Sequence, residues 1–198
     1  LNYSKQLNDD FSLEALLGTN IRSRYIEQND QSAPRLAVAG LYTLSNSRDP
    51  LTSSNNYSKL KSYSGYASAQ IGFRNYFFAN ITARNDWSST LPAQNRSYFY
   101  PSFNGSFVLT EAFDIKSDLL DYAKLRGGWS KVGKDADPYR LINTFGFGAP
   151  FGSNPQLTAS TTDLNPDLKP ETTTSSEFGA EAVFFKRRLR FDISLYNT

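Results

Sequence analysis

Long runs in which apolar and polar residues alternate are the feature that most restricts what this chain can fold into. Seven segments place apolar side chains at every second position, which is the period of a β-strand. They begin at Phe11, Tyr63, Phe77, Phe99, Lys124, Glu177 and Leu189. The longer runs cover about 10 to 13 residues, which exceeds the usual strand of a soluble domain and suits a tilted strand that crosses a membrane.

Charge divides sharply between the two faces that this alternation predicts. One alternate set of residues carries no charged side chain and is rich in Ala, Gly and Phe. The other set carries Glu14, Arg22, Arg74, Arg84, Lys124, Arg126, Glu177, Glu181, Arg190 and Asp192. We therefore expect one face of each strand to meet an apolar medium and the other to meet water.

The composition excludes several classes of function. The chain of 198 residues has no Cys and no His, so thiol chemistry, disulfides and the commonest general base are absent. Its net charge of +2 is too small for a nucleic-acid binder. We predict no enzyme activity, no catalytic residue, no metal site and no cofactor.

The connections between the predicted strands alternate between short and long. The short ones are Asn8 to Asp10, Arg74 to Tyr76, Glu111 to Tyr122, and Phe185 to Arg188, and the long ones are Arg24 to Lys61, Trp87 to Ser97, and Lys134 to Thr172. Short turns at one end and long loops at the other are typical of bacterial membrane barrels. With Leu1 to Leu7 as a further strand, this predicts eight strands of an all-β, transmembrane, antiparallel up-and-down β-barrel.

Two further expectations concern the ends and the local structure of the chain. The chain lacks Met and both its ends read as strands, so we expect residues 1–198 to be part of one barrel domain in a longer protein. In the connection after Glu111, Ser117 is a candidate N-cap for a helical turn before Leu119 and Leu120. A secreted soluble β-sandwich that binds glycans is the alternative fold, because its strands also have one apolar face.

Four stretches in series resemble the barrel of the SusC/RagA family of TonB-dependent outer-membrane transporters. They are Ala83-Arg-Asn-Asp-Trp-Ser-Ser89, Tyr98-Phe-Tyr-Pro-Ser102 leading to Phe107-Val-Leu-Thr-Glu111, Lys124-Leu-Arg-Gly-Gly-Trp-Ser-Lys-Val-Gly133, and Asn165-Pro-Asp-Leu-Lys-Pro-Glu-Thr172. A hairpin ending in Ser194-Leu-Tyr-Asn197 follows the last of them. The resemblance runs from about Tyr63 to the end of the chain.

The resemblance implies a multi-pass barrel of 22 strands in the outer membrane, filled by an N-terminal plug domain. A SusD-like surface lipoprotein would cap it, and the TonB–ExbB–ExbD complex would act on a TonB box. Neither the plug nor the box is found in this sequence. Members of the family import oligosaccharides and in some cases oligopeptides, without a universal catalytic residue or a bound cofactor.

The resemblance also directs the choice of candidate site residues. Aromatic and hydrogen-bonding side chains in the outer loops and upper lumen are expected to contact substrate: Asp86, Trp87, Tyr139, Arg140, Phe145, Phe147, Phe151 and Asn154. Arg84, Arg126, Glu177 and Glu181 are expected to line the lumen, with Arg190 balancing the two carboxylates. A siderophore or cobalamin importer and a passive porin are the alternatives within a membrane barrel.

Overall fold

A computed structural model describes all 198 residues, Leu1–Thr198, and its regular structure consists almost entirely of antiparallel strands. The strands are β1 (Asn2–Gln6), β2 (Phe11–Ser32), β3 (Thr52–Phe73), β4 (Phe77–Ser88), β5 (Ser97–Val108), β6 (Leu120–Lys134), β7 (Phe145–Phe151), β8 (Asn154–Ala159), β9 (Glu171–Phe184) and β10 (Leu189–Asn197). A 3-10 turn covers Leu44–Asn46, and helix α1 covers Leu109–Ala112. Neither helix has the length and apolar character needed to cross a membrane.

Eight of the strands form one sheet in the order β1-β2-β3-β4-β5-β6-β9-β10, so every strand pairs with its neighbour along the chain except where the β7–β8 hairpin is inserted. This is the up-and-down connectivity and the strand number predicted from the alternation pattern. The hairpin forms a separate two-stranded sheet within the long connection between β6 and β9.

The register brings the uncharged residues of neighbouring strands directly opposite one another. Ile81 faces Phe103, which faces Trp129, while Gly127 faces Phe178. Within the apolar band, strand β1 contributes the one charged side chain, Lys5, which lies opposite Leu13. We call this surface the uncharged face and its opposite the polar face.

No second protein layer covers the uncharged face. Phe103, Phe178 and Ile193 are 48%, 56% and 63% exposed, and the only buried hydrophobic residues are Leu60, Leu91, Val108 and Ala123. A soluble β-sandwich would bury this face against another sheet. The prediction of a soluble sandwich is therefore wrong for this chain. Lipid is a medium that can surround such an exposed apolar face.

Aromatic side chains mark the end of the uncharged face at the short turns. Phe11 and Phe73 lie with ring centroids 4.7 Å apart, and Tyr76 continues the row at 5.4 Å from Phe73. Phe107 is 5.7 Å from Tyr76, and Phe113 is 6.1 Å from Phe107. Aromatic girdles of this kind border the apolar band of membrane barrels at the headgroup level.

The opposite edge of the uncharged face runs obliquely across the sheet. The edge begins with Ile21, Tyr63 and Trp87, which lie opposite one another on neighbouring strands. Trp129 lies six residues nearer the short turns than these three. Leu195 is six strands away from Ile21 and lies eight residues nearer the short turns than Ile21 does. Strand rise and spacing convert this slope into a tilt of about 40°. A flat bilayer produces such an edge when it crosses strands inclined as in a membrane barrel.

The loop predicted between Arg24 and Lys61 is shorter than expected. Strands β2 and β3 continue as a paired ribbon to Ser32 and Thr52, so the loop covers residues 33–51. Most side chains on both sides of the ribbon are polar and exposed, so the backbone ladder persists without the alternation that identifies half-buried strands. The Asn46 side-chain amide holds the loop together by donating to the carbonyls of Val38 and Leu41, both at 2.8 Å.

The connection between β5 and β6 corrects a second prediction. The helical turn covers Leu109–Ala112, directly after β5, rather than the residues after Ser117. The Ser117 hydroxyl does accept the backbone N–H groups of Leu119 and Leu120, at 3.1 and 3.3 Å, but the turn leads into a strand. The same serine chemistry caps helices and turns, so the residue type alone does not separate them.

Replacing Ile81 by Arg tests which medium covers the uncharged face. Ile81 lies midway along β4, and a cation there should lower the free energy of unfolding by about 2–4 kcal/mol if lipid surrounds it. Asn80→Arg is the matched control, because the adjacent side chain points to the polar face. Unfolding of the full-length protein in lipid vesicles measures both, and equal losses would contradict the assignment.

Candidate functional site

The polar face carries its most connected group of side chains on β3, β4 and β5. We call it the tyrosine–arginine cluster, which consists of Ser64, Tyr66, Arg84, Asp86, Tyr98 and Tyr100. All six residues occupy even positions, so the strand period alone sends them to one side of the sheet. The cluster lies near the oblique edge, on the side of the long loops.

Arg84 and Asp86 form the centre of the tyrosine–arginine cluster. The Nε atom of Arg84 donates to Oδ1 of Asp86 at 2.9 Å, and Nη2 donates to the Ser64 hydroxyl at 2.9 Å. The Tyr100 hydroxyl donates to Oδ2 of Asp86. Asp86 is 9% exposed, so its charge depends on these partners.

Aromatic rings flank the ion pair on both sides. The Arg84 guanidinium carbon lies 5.8 Å from the ring centroid of Tyr66 and 6.0 Å from that of Tyr100. Tyr98 stacks on Tyr100 at 5.9 Å. Cation–π contact and stacking keep these rings in fixed positions.

Two glycines on the neighbouring strands make room for the tyrosines. A Cβ atom on Gly18 would lie 2.4 Å from the ring of Tyr66, and one on Gly133 would lie 2.6 Å from the ring of Tyr98. The tyrosines therefore extend over β2 and β6, so the tyrosine–arginine cluster covers five strands. A shallow recess of about 370 Å³ borders it, with the hydroxyls of Ser68, Thr82, Ser102 and Ser130 in its lining.

A second group on the polar face is a ladder of ion pairs across β6, β9 and β10. Arg126 donates to both carboxylate oxygens of Asp192, at 2.7 and 3.2 Å, and lies 3.8 Å from Glu177. Glu181 accepts from Arg190 at 2.8 Å and lies 3.7 Å from Lys124. Three cations thus meet three anions, and the group is neutral as a whole.

Between the two groups lies a row of side-chain amides. Gln70 faces Asn80, which faces Asn104, so the three follow one line across β3, β4 and β5. They border a recess of about 310 Å³ together with Arg126 and Glu177. None of the three amides hydrogen-bonds to another side chain of this chain, so their donors and acceptors are available to a ligand.

One ion pair of the polar side lies at the short turns, beyond the membrane-spanning part. Arg74 donates to Asp10 through Nε at 2.6 Å and lowers the pKa of that carboxyl below its usual value. Asp10 in turn raises the pKa of Arg74. Both groups are exposed, so the pair orders the turn more than it stabilises the fold.

The structure places the four predicted lumen residues on the polar face and divides the predicted substrate residues. Arg84, Arg126, Glu177 and Glu181 all belong to the groups described above. Asp86 lies within the tyrosine–arginine cluster, whereas Trp87 points to the uncharged face opposite Tyr63. Adjacent positions on a strand point to opposite faces, so the two side chains lie on different sides of the sheet.

The remaining predicted residues lie in the long connection between β6 and β9. Tyr139 contacts Tyr57 edge-on, with ring centroids 6.0 Å apart, and Arg140 is exposed. Phe145 and Phe147 share one face of the β7–β8 hairpin and are 70% and 88% exposed. Phe151 and Asn154 pair at its turn, where both are exposed.

Hydrogen bonds join the bases of two long loops beside the tyrosine–arginine cluster. Gln94 donates to the carboxylate of Asp167 at 2.7 Å, and the Asn95 amide donates to the Asp167 carbonyl at 3.1 Å. The Ser88 hydroxyl, which is almost fully buried, donates to Asp135 at 2.5 Å. The loop bases thus form a connected rim above the polar face.

Tyr66, Tyr98 and Tyr100 are not among the site residues predicted from the sequence, although Tyr98 and Tyr100 lie in one of the stretches that carry the family resemblance. A usable signal was present, because these tyrosines are bulky residues among the Ser, Asn and charged residues of the predicted polar face. Their register and the glycines beside them become apparent only when the strands are paired.

Comparisons with known proteins agree with this geometry. The whole chain, residues 1–198, matches the family described as TonB dependent receptor-like, beta-barrel. The TonB-dependent receptor P26 of Formosa agariphila is 26% identical over 205 residues, which cover 99% of this chain and 20% of that protein. The chain thus spans about a fifth of the length of this relative.

Solved structures show the same fold. One described as the RagAB peptide transporter superposes with a TM-score of 0.77 at 23% identity, over 98% of this chain and 22% of that chain. Another, described as the RagAB peptide importer in the closed-closed state, gives a TM-score of 0.76 at 24% identity, with the same coverage.

Replacing Asp86 by Asn should destabilise the protein more than any change to the exposed ion pairs. The substitution leaves Arg84 without its anionic partner in a crowded part of the polar face, and we expect a loss on the order of 1–3 kcal/mol in the free energy of unfolding. Glu177→Gln is the control and should cost less than about 1 kcal/mol, because its pair is long and exposed. Denaturant unfolding in detergent micelles compares them, and a reversed order would contradict the central role of Asp86.

Proposed function

This chain belongs to the TonB-dependent receptor-like β-barrel family, a family of outer-membrane transporters and receptors rather than enzymes, and we propose that it forms part of the wall of a nutrient importer. The supporting observation is the two-sided sheet. One side suits lipid along an oblique band, and the other presents ordered tyrosines, hydroxyls and amides to an aqueous interior. Transport by such a wall depends on binding and release, not on bond-making chemistry.

We propose a chain molecule of little net charge, an oligopeptide or an oligosaccharide, as the substrate. The charged side chains of the polar face are largely paired with one another, so little net charge is left to select an ionic ligand. Free amides and hydroxyls match the repeated polar groups of peptide backbones and sugars, and tyrosine faces suit apolar ring or side-chain surfaces. The two structural neighbours are described as transporting peptides, so peptides are the first ligands to test.

Substrate would first contact the rim of loop bases and the β7–β8 hairpin. Tyr139, Arg140 and the β7–β8 phenylalanines stand in the long connection and are exposed, so they are available to substrate or to a capping lipoprotein. We propose a SusD-like lipoprotein as that partner, and the TonB–ExbB–ExbD complex as the energy source. The structural neighbours described as the RagAB peptide transporter and the RagAB peptide importer support an importer of this fold.

An uptake assay with the full-length protein tests the substrate site. Removing the rings in Tyr66→Ala and Tyr98→Ala together should weaken ligand binding, and therefore uptake at low ligand concentration, about twofold to twelvefold per ring, because each stacked ring contributes about 0.5–1.5 kcal/mol. Tyr100 is left in place because it supports Asp86.

The matched control is Tyr25→Ala together with Tyr63→Ala, which removes two rings from the outward side of β2 and β3, away from the tyrosine–arginine cluster. Cells expressing each variant are supplied with fluorescent oligopeptides and, separately, with oligosaccharides. Unchanged uptake of both by the Tyr66/Tyr98 variant would refute the proposed site. Uptake of a metal–siderophore complex alone would refute the substrate class.

A further inference from the structure

The uncharged face changes character abruptly beyond its oblique edge. The first outward-pointing position past the edge on each of seven strands is polar and can donate a hydrogen bond. These positions, which we call the donor tier, are Ser23, Lys61, Ser89, Ser97, Lys131, Ser176 and Asn197. Lys59, two residues beyond Lys61, points to the same side and lies opposite Tyr25.

No carboxylate occurs in the donor tier. The first acidic residue on this side is Glu27, six residues beyond Ile21 on β2. The other side of the same strands differs, because there Arg84 is paired with Asp86. Lys59, Lys61 and Lys131 form no ion pair within the chain, so their charges are free for an external anion.

The position of the donor tier identifies the kind of anion. It lies immediately beyond Tyr63, Trp87 and Trp129, at the level where a membrane protein meets lipid headgroups. It faces outward, so it is separated by the sheet from the proposed substrate site. The long loops lie at this end, which places it in the outward leaflet.

We propose that the donor tier binds phosphate groups of lipids in the outward leaflet, mainly through Lys59 and Lys61. The two lysines are alternate residues on one strand, with Cα atoms about 6.6 Å apart, so both ammonium groups can reach one phosphate. Ser23 lies opposite Lys61, and the Ser89 hydroxyl accepts the Lys61 backbone N–H at 2.9 Å, which leaves its own proton free to donate. Lys131 lies three strands away and serves a second lipid.

A lipid phosphate fits the donor tier better than a free anion. Cations in the headgroup layer are attracted by the anionic surface as well as by single contacts. Lysine stems can lie along the apolar edge while their ammonium groups remain in the polar layer. A dissolved phosphate would gain nothing from the tyrosine and tryptophan row beneath.

The test uses the full-length protein in detergent micelles and measures its unfolding temperature. The probe is phosphatidic acid, compared with diacylglycerol of the same acyl chains. We expect phosphatidic acid to raise the unfolding temperature by several degrees more than diacylglycerol. Lys59→Gln together with Lys61→Gln should remove most of that difference. Lys116→Gln together with Lys186→Gln, at the short turns, removes the same charge and should retain it.

Two results would overturn the proposal. One is an equal phosphatidic acid effect in the Lys59/Lys61 variant and the wild type. The other is an equal effect of inorganic phosphate at the same concentration, which would identify a site for a free anion. Neither measurement involves transport, so the result is independent of the proposed substrate site.

Discussion

The ladder of backbone hydrogen bonds between neighbouring strands is the constraint on which the rest of this structure depends. Of 107 backbone hydrogen bonds, 87 lie within the regular strands and helices. Lipid offers no partner for an unpaired N–H or carbonyl group, so strands can cross it only when the ladder satisfies them. Once the backbone is satisfied, the outward side chains need only be apolar, and Ala, Gly and Phe serve without tight packing against a second layer.

The same ladder frees the polar face for binding. In a soluble domain one face of each strand builds the core, and binding residues lie disproportionately on loops. Here lipid takes the place of the core, so the polar face can hold ordered side chains over several adjacent strands. The tyrosine–arginine cluster is an example, because Arg84 and Asp86 stabilise one another and fix the tyrosines around them.

The polar residues at the long-loop end of the strands face two different media. Toward the interior, the loop bases are joined by Gln94, Asn95 and Ser88, which surround the entrance to the proposed substrate path. Toward the exterior, the donor tier faces the headgroup layer without any carboxylate. A single sheet thus separates the two proposed binding surfaces, which face different media.

The sequence by itself determined the eight strands of the main sheet, their two faces and the alternation of short and long connections, because half-buried strands repeat every two residues. It did not reveal the β7–β8 hairpin, which is exposed and lies within a predicted long loop. It could not reveal where β2 and β3 end, since a water-exposed ribbon has no apolar side. It placed Asp86 and Trp87 in one group, although neighbouring residues on a strand point apart. Tertiary structure decided the register, and register alone places Tyr66 over Gly18, Tyr98 over Gly133 and Arg126 beside Asp192.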